Sequence, residues 1–445
     1  MKTEGHPITI QQGQLQVPSD PIIPFIQGDG VGPDIWKASV RVIEAAVRKA
    51  YGGKRQIHWL ELYAGQKAFD RSGKWLPQET IDTIEQYLIA LQGPLAIPMG
   101  GGIRSLNIVL RQKLDLYACL RPIQHISGIP SFLQLDKPLN LMFFQEKTED
   151  VHVGIEARAG SEKSELLLDF LEDEFPEEFV KLRFGSSEKV EAYQELLSTD
   201  ASQQVEVGLN IKPTSRQGVE RLIRSVIQYA IRLGKKSIIL VHKGNISSAT
   251  EGVLRDWGYQ LAEREFGDLV YTWGQFDRRT AIESQDAARK EWEAAQQQNK
   301  IVIRDMLYNM ALRHLLSHPQ ECEIMVSLNL TGEYMTEILL EQLGSSSLAP
   351  VGNINYLTGH AVFEVAHGTA FSQAGKDAFN PSSMILAGSL LLEYIGWQEA
   401  AELIQKGVES TLMNHQLTYD LYRQIQEATV LRCSEFGDAV IQHMD

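Results

Sequence analysis

Across residues 21–51 the chain passes from a short apolar run, Pro-Ile-Ile-Pro-Phe-Ile-Gln, through the loop Gly28-Asp29-Gly30-Val31-Gly32-Pro33 into a stretch whose apolar residues repeat at helical spacing. A strand, a glycine turn and a helix in that order commit a chain to layered packing, with helices covering an open sheet. The unit recurs. Residues 57–63 read as a strand, 79–87 as a helix and 90–98 as a buried strand, and further on 217–233 read as a helix and 237–242 as an apolar strand. The expected class is therefore α/β. At 445 residues the chain exceeds one ordinary core, so two or three packed units are expected.

The alternation lapses between residues 160 and 204, where the sequence turns acidic and reads as a surface excursion or arm. Residues 284–298 read as a solvated polar helix, and from 324 onward short apolar runs alternate with glycine loops. A formal net charge of −15 without any basic cluster argues against a nucleic-acid partner. A diffuse acidic exterior still allows an anionic small molecule to be held by a few converging arginines. Cys119, Cys322 and Cys433 are too scattered for zinc or redox motifs and read as reduced, buried thiols. Residues 1–16 are polar without an apolar signal core, and no run approaches the length of a membrane span, so no membrane association and a cytoplasmic location are expected.

The loop 28–33 superficially matches a dinucleotide fingerprint, but it reads Gly-x-Gly-x-x-Pro and sets the Asp29 carboxylate where a pyrophosphate would lie. A tight strand-to-helix turn exploiting glycine's backbone freedom accounts for it better.

Longer strings carry more information: Gly-Gly-Gly-Ile-Arg-Ser-Leu-Asn at 100–107, Leu120-Arg121-Pro122, His242-Lys243-Gly244-Asn245, Ala366-His367-Gly368-Thr369-Ala370 and Cys433-Ser434-Glu435-Phe436-Gly437-Asp438. In these the chain resembles the bacterial NADP-dependent isocitrate dehydrogenases, within the isocitrate/isopropylmalate dehydrogenase superfamily, from about Pro21 to the C-terminus. The resemblance implies that family's fold: a discontinuous large α/β domain from 1–116 and 344–445, a small one from 117–149 and 191–343, and a clasp arm at 150–190. It implies a homodimer with shared active sites that oxidises and decarboxylates a small anionic 2-hydroxy acid. Ser105, Asn107, Arg111 and Arg121 would hold its carboxylates, guanidinium forks being suited to that task. Lys212 matches the lysine that crosses to the neighbouring subunit and takes part in proton transfer. His367, Gly368, Thr369, Ala370 and Asn380 match the cofactor loop and its sequel, and Tyr419 and Arg423 the positions that hold the 2′-phosphate of NADP. NAD is the alternative cofactor, because the lysine and tyrosine expected after that loop are Ser372 and Gln373 here.

Several positions depart from the family pattern. The aspartates that would ligate Mg2+ or Mn2+ have become Asn309, Glu333 and Glu337. Each glutamate stands one methylene further out, and magnesium tolerates little deviation from octahedral oxygen distances. Gln145 replaces a substrate-clamping arginine, His152 replaces the tyrosine that protonates the enol carbon, and Ala96 and Ile97 replace a threonine pair on the nicotinamide side. Two readings follow: an NAD(P)-dependent dehydrogenase for isocitrate or a close analogue, or a non-catalytic family member that binds an anionic ligand without turnover.

Overall fold

The computed structural model describes residues 5–96, 105–133, 139–197, 205–344, 346–423, 425 and 427–444. The chain forms two compact units, one from residues 1–148 and 215–445 and a smaller one from Glu149–Thr214.

The larger unit is built on one eleven-stranded sheet. In chain order its strands are β1 Ile22–Ile26, β2 His58–Leu62, β3 Ile89–Gln92, β4 Ala118–Gln124, β5 Asn140–Glu146, β6 Ser237–His242, β7 Val270–Thr272, β8 Ile301–Leu307, β9 Ile324–Ser327, β10 Pro350–Ile354 and β11 Ala361–Val365. In space they run β7-β8-β6-β9-β5-β4-β10-β11-β3-β1-β2. Parallel pairing holds on both flanks, whereas β4 and β10 pair antiparallel to each other and to their outer neighbours. Strand direction thus reverses in the middle of the sheet.

The two faces of the sheet are unlike. Ile23, Phe25, Leu91, Leu120, Phe144, Val326, Leu240 and Phe363 belong to one continuous apolar core on one face. Their alternate neighbours form two separate apolar clusters, one around Ile123, Leu141, Phe143, Val241 and Met325, the other around Ile26, Ala90, Leu110 and Val362. Polar residues lie between those clusters.

Helix α1, Gly32–Tyr51, follows β1 as the periodicity predicts. Pro33 sits in its first turn, and Gly52 closes it in the left-handed conformation, donating its N–H to the Arg48 carbonyl. Trp36 of α1 stacks on Phe25 with ring centroids 3.9 Å apart. The loop before α1 is a turn with an internal anion. Asp29 is buried, and its carboxylate accepts hydrogen bonds from the backbone amides of Gln66 (3.0 Å), Lys67 (3.4 Å) and Ala96 (2.7 Å). Gly30 has φ +60°, and a methyl group there would overlap the Thr369 carbonyl oxygen, which accepts a bond from the Val31 amide.

Two of the strings noted above prove to be scaffold. Residues 433–438 open a C-terminal helix, Cys433–Gln442, that is tied to α1 by Arg41, which reaches Asp438 (2.6 Å) and the Ser434 carbonyl (2.9 Å). His242 donates through Nε2 to Asp305 at 2.9 Å, and the other oxygen of Asp305 accepts from the Tyr259 hydroxyl.

The smaller unit holds the acidic segment. It carries three helices, Glu162–Glu174, Pro176–Phe179 and Ser187–Leu197, and an antiparallel ribbon pairing Ile155–Ala157 with Leu209–Ile211. The strand Leu209–Ile211 belongs to this ribbon, not to the large sheet.

Among the described residues no helix is long and apolar enough to cross a membrane. All three cysteines are free and buried, and burial pushes the Cys322 and Cys433 thiols up to about 12. Since the thiolate is the reactive form, Cys322 and Cys433 should resist a thiol-disulfide reagent at mildly alkaline pH in the native protein and react in denaturant. Rapid native-state labelling of either, read by peptide mass spectrometry, would contradict this packing.

Candidate active site

Where the sheet reverses direction, adjacent strands set polar side chains on one face. Register pairs Gln92 with Glu364, Asn353 with Cys119, Cys119 with Gln145 and Gln145 with Ser327. Residues directly opposite one another in a sheet share a face, as do those two apart along a strand. Arg121 therefore joins that row, and Lys147, one residue past the end of β5, faces α3 beside it. Helix α2, Leu106–Lys113, and helix α3, Asn329–Gln342, supply the remaining groups.

Of three cations in this polar row Arg121 and Lys147 are buried and Arg111 is largely covered, and each meets a carboxylate. Arg111 of α2 reaches Glu364 at 2.5 Å, and Glu364 also accepts from the amides of Asn353 (2.8 Å) and Gln92 (3.1 Å). Gln92 in turn donates to the Asn107 side chain at 3.0 Å. Arg121 reaches Glu337 at 2.5 Å and Thr336 at 2.9 Å, both on α3. The Lys147 ammonium lies 3.4 Å from Glu333, one turn earlier on the same helix. The pairs differ in depth. Glu364 is 5% exposed, but Glu333 and Glu337 are 38% and 54% exposed above nearly enclosed cations. Burial draws the Lys147 pKa below the ordinary lysine value.

Several polar atoms here have no hydrogen-bond partner among the described residues: Gln92 Oε1, Arg111 Nε, Arg121 Nε, Asn353 Oδ1 and both amide atoms of Gln145. Native proteins rarely leave such groups unpaired, so their concentration in one place makes this row the candidate for holding a polar ligand. Gln145 is fully buried and packs so closely on α3 that a methyl group at Gly332 would collide with it.

The structure thus brings Asn107, Arg111, Arg121, Gln145, Glu333 and Glu337 into one polar row, with Ser105 at the start of α2. Asn309 lies at the start of the helix after β8, where its side-chain oxygen accepts from Lys243 at 3.3 Å. Lys212 and His152 lie in the smaller unit, Lys212 3.4 Å from the buried Asp150 and His152 in the turn Asp150–Val153. Of the motif at 100–107, residues 100–104 fall outside the described residues, as does Ile97. Sequence reasoning missed Lys147, Gln92, Asn353 and Glu364 as members of this row. Lys147 lies two residues beyond Gln145 and one past the end of β5, where a period-two reading of the strand points without reaching it.

A second group lies around the loop after β11. His367 packs its ring 4.7 Å from Phe379, and burial lowers its pKa; Nε2 has no partner among the described residues. Ala370 takes a left-handed conformation, while a side chain at Gly368 would meet open space. Asn380 donates to Asp420 at 3.0 Å and accepts from the Ser382 amide, and the Arg423 guanidinium lies over the Tyr419 ring at 4.5 Å. Ser372 and Gln373 are exposed on the short turn Phe371–Gln373.

The model of the isocitrate/isopropylmalate dehydrogenase family matches residues 22–440. The chain belongs to that family. It is 46% identical over 430 residues to the NADP isocitrate dehydrogenase of Staphylococcus aureus strain Mu50, covering 97% of both chains. It is 40% identical over 445 residues to isocitrate dehydrogenase [NADP] 1 of Colwellia maris, covering 99% of this chain and 98% of that one. The crystal structure of the isocitrate dehydrogenase of Methylococcus capsulatus superposes with a TM-score of 0.70 at 27% identity, over 95% of this chain and 99% of that one. The α/β architecture is that of the family.

Against this family background the donor set for a divalent cation fits poorly. Glu333 and Glu337 already face an ammonium and a guanidinium, and the Asn309 side chain is a neutral amide that accepts from Lys243. No three His, Cys, Asp or Glu side chains among the described residues converge on a point that a metal ion could take. The second group does fit a dinucleotide: an orphaned buried imidazole nitrogen, open space beside Gly368 and an exposed arginine offer contacts to a ring and to phosphate.

Proposed function

We propose that this chain is an NADP-linked, decarboxylating dehydrogenase of isocitrate or a close 2-hydroxy-acid analogue, acting in the cytoplasm as a homodimer with shared sites. The observation that carries the reading is the largely buried cationic row of Arg111, Arg121 and Lys147 at the reversal of the sheet. Arg111 and Arg121 hold substrate carboxylates, with Ser105 and Asn107 orienting the far one. Gln145 offers an amide where a full charge would otherwise stand, which favours an acid bearing a neutral or differently shaped group at that end. Lys212 and His152 move protons, His152 delivering one to carbon. His367, Gly368, Thr369, Ala370 and Asn380 hold the adenine and diphosphate side of the cofactor, and Tyr419 with Arg423 hold the 2′-phosphate, so NADP is preferred over NAD. NADP, when bound, supplies the hydride acceptor. The large domain comprises 1–116 and 344–445, the small domain 117–149 and 191–343, and the clasp arm 150–190.

The test is reduced-cofactor absorbance with NADP or NAD and a panel of isocitrate, isopropylmalate and homoisocitrate. Turnover of one of them with NADP supports the reading. Acid binding without turnover across the panel would replace it with the non-catalytic alternative, and tighter binding of NAD than of NADP would overturn the cofactor assignment.

A further inference from the structure

We propose that Lys147 supplies, as a built-in cation, the positive charge for which the family pattern reserves a divalent metal, so that this site takes its anionic acid without a metal ion. The inference deepens the functional reading above and rests on its assignment of the acid to the row of Arg111, Arg121 and Lys147.

Three observations converge on it. Lys147 is 2% exposed, one residue past the end of β5 and two past Gln145, and its ammonium faces α3 beside the same polar row. Its ammonium lies 3.4 Å from Glu333, and Arg121 lies 2.5 Å from Glu337, so both carboxylates expected to ligate a metal are engaged by protein cations. The third expected ligand is Asn309, whose amide oxygen carries no charge and accepts from a lysine. A divalent ion entering here would have to displace one cation, tolerate the other and settle for a neutral third ligand. Magnesium demands compact, near-ideal octahedral oxygen geometry.

Burial also differs across each pair. The cations are enclosed, whereas Glu333 and Glu337 are partly exposed on one face of α3. A fixed charge beneath and a displaceable carboxylate above make an exchangeable lid of negative charge. An incoming carboxylate can take the place of Glu333 on Lys147 with no change in the charge count at that point. Removal of Glu333 then has opposite consequences in the two cases. With a metal it deletes a ligand and weakens binding. With Lys147 as the cation it deletes an internal competitor.

Calorimetry of isocitrate binding to the full-length protein, in EDTA and in Mn2+, decides the matter together with Mn2+ titration followed by electron paramagnetic resonance. The expected results are equal isocitrate affinity in both media and no protein-bound Mn2+ at micromolar concentrations. Glu333→Gln should tighten isocitrate binding about twofold to fivefold in EDTA, the worth of a half-exposed ion pair. Lys147→Met, an apolar replacement that a buried site accepts, should weaken it on the order of 30-fold or more. Isocitrate affinity that collapses in EDTA, micromolar Mn2+ binding, or weaker binding by Glu333→Gln would each overturn the proposal. Metal-independent isocitrate binding without turnover would sustain the Lys147 assignment while removing the dehydrogenase reading. Metal-dependent turnover would do the reverse.

Discussion

Arg121→Ala is expected to weaken binding of the substrate acid by on the order of 2 to 3 kcal/mol, about 30- to 150-fold, while the thermal midpoint moves little. The two effects separate because of what the guanidinium leaves behind. Glu337 is 54% exposed and can return to water, so its loss of a partner costs little stability. A carboxylate of the substrate has no such recourse in the buried row. Arg111→Ala should behave differently. Its partner Glu364 is 5% exposed, and stranding that carboxylate should cost about 3 to 5 kcal/mol of stability. Calorimetry and thermal melts on both variants check the contrast. An unchanged affinity for Arg121→Ala would remove Arg121 from the site.

With isocitrate itself, turnover should lie about 100-fold or more below that of the Staphylococcus aureus relative assayed side by side. On the proposed assignment the loss follows from one missing charge and two engaged ones: Gln145 offers a substrate carboxylate a neutral amide, and the two glutamates engage Arg121 and Lys147. Removing a single preorganised electrostatic contact of this kind typically costs ~100-fold in rate. A rate equal to the relative's would show that Gln145 and the paired glutamates cost the chemistry nothing.

Much of the fold was legible in the chain. The first strand, glycine turn and helix were readable because an unbroken apolar run and a period-3.6 pattern follow one another there, the helix being bounded by Pro33 and Gly52. The strand expected over 90–98 is described only as Ile89–Gln92, because Gly93 and Pro94 follow at once. The reversal at β4 and β10 left no local mark, since strand direction is set by distant partners rather than by propensity. At the site, Asn107, Arg111, Arg121 and Gln145 were named from motifs. The pairing of Lys147 with Glu333 spans 186 residues and is invisible to any window of sequence.

The sheet's unlike faces also say how the charge of such a row can change while the strands stay packed. Along β4 and β5 one parity, Leu120 and Phe144, is buried in a core that every strand shares, and change there is paid for in folding. The other parity carries Cys119, Arg121 and Gln145 at one end and Ile123, Leu141 and Phe143 of a second apolar cluster at the other. A change of side chain at the polar positions therefore alters the charge of the row while the apolar residues on both faces keep the strands packed. Shape and candidate chemistry are interleaved along the same strands.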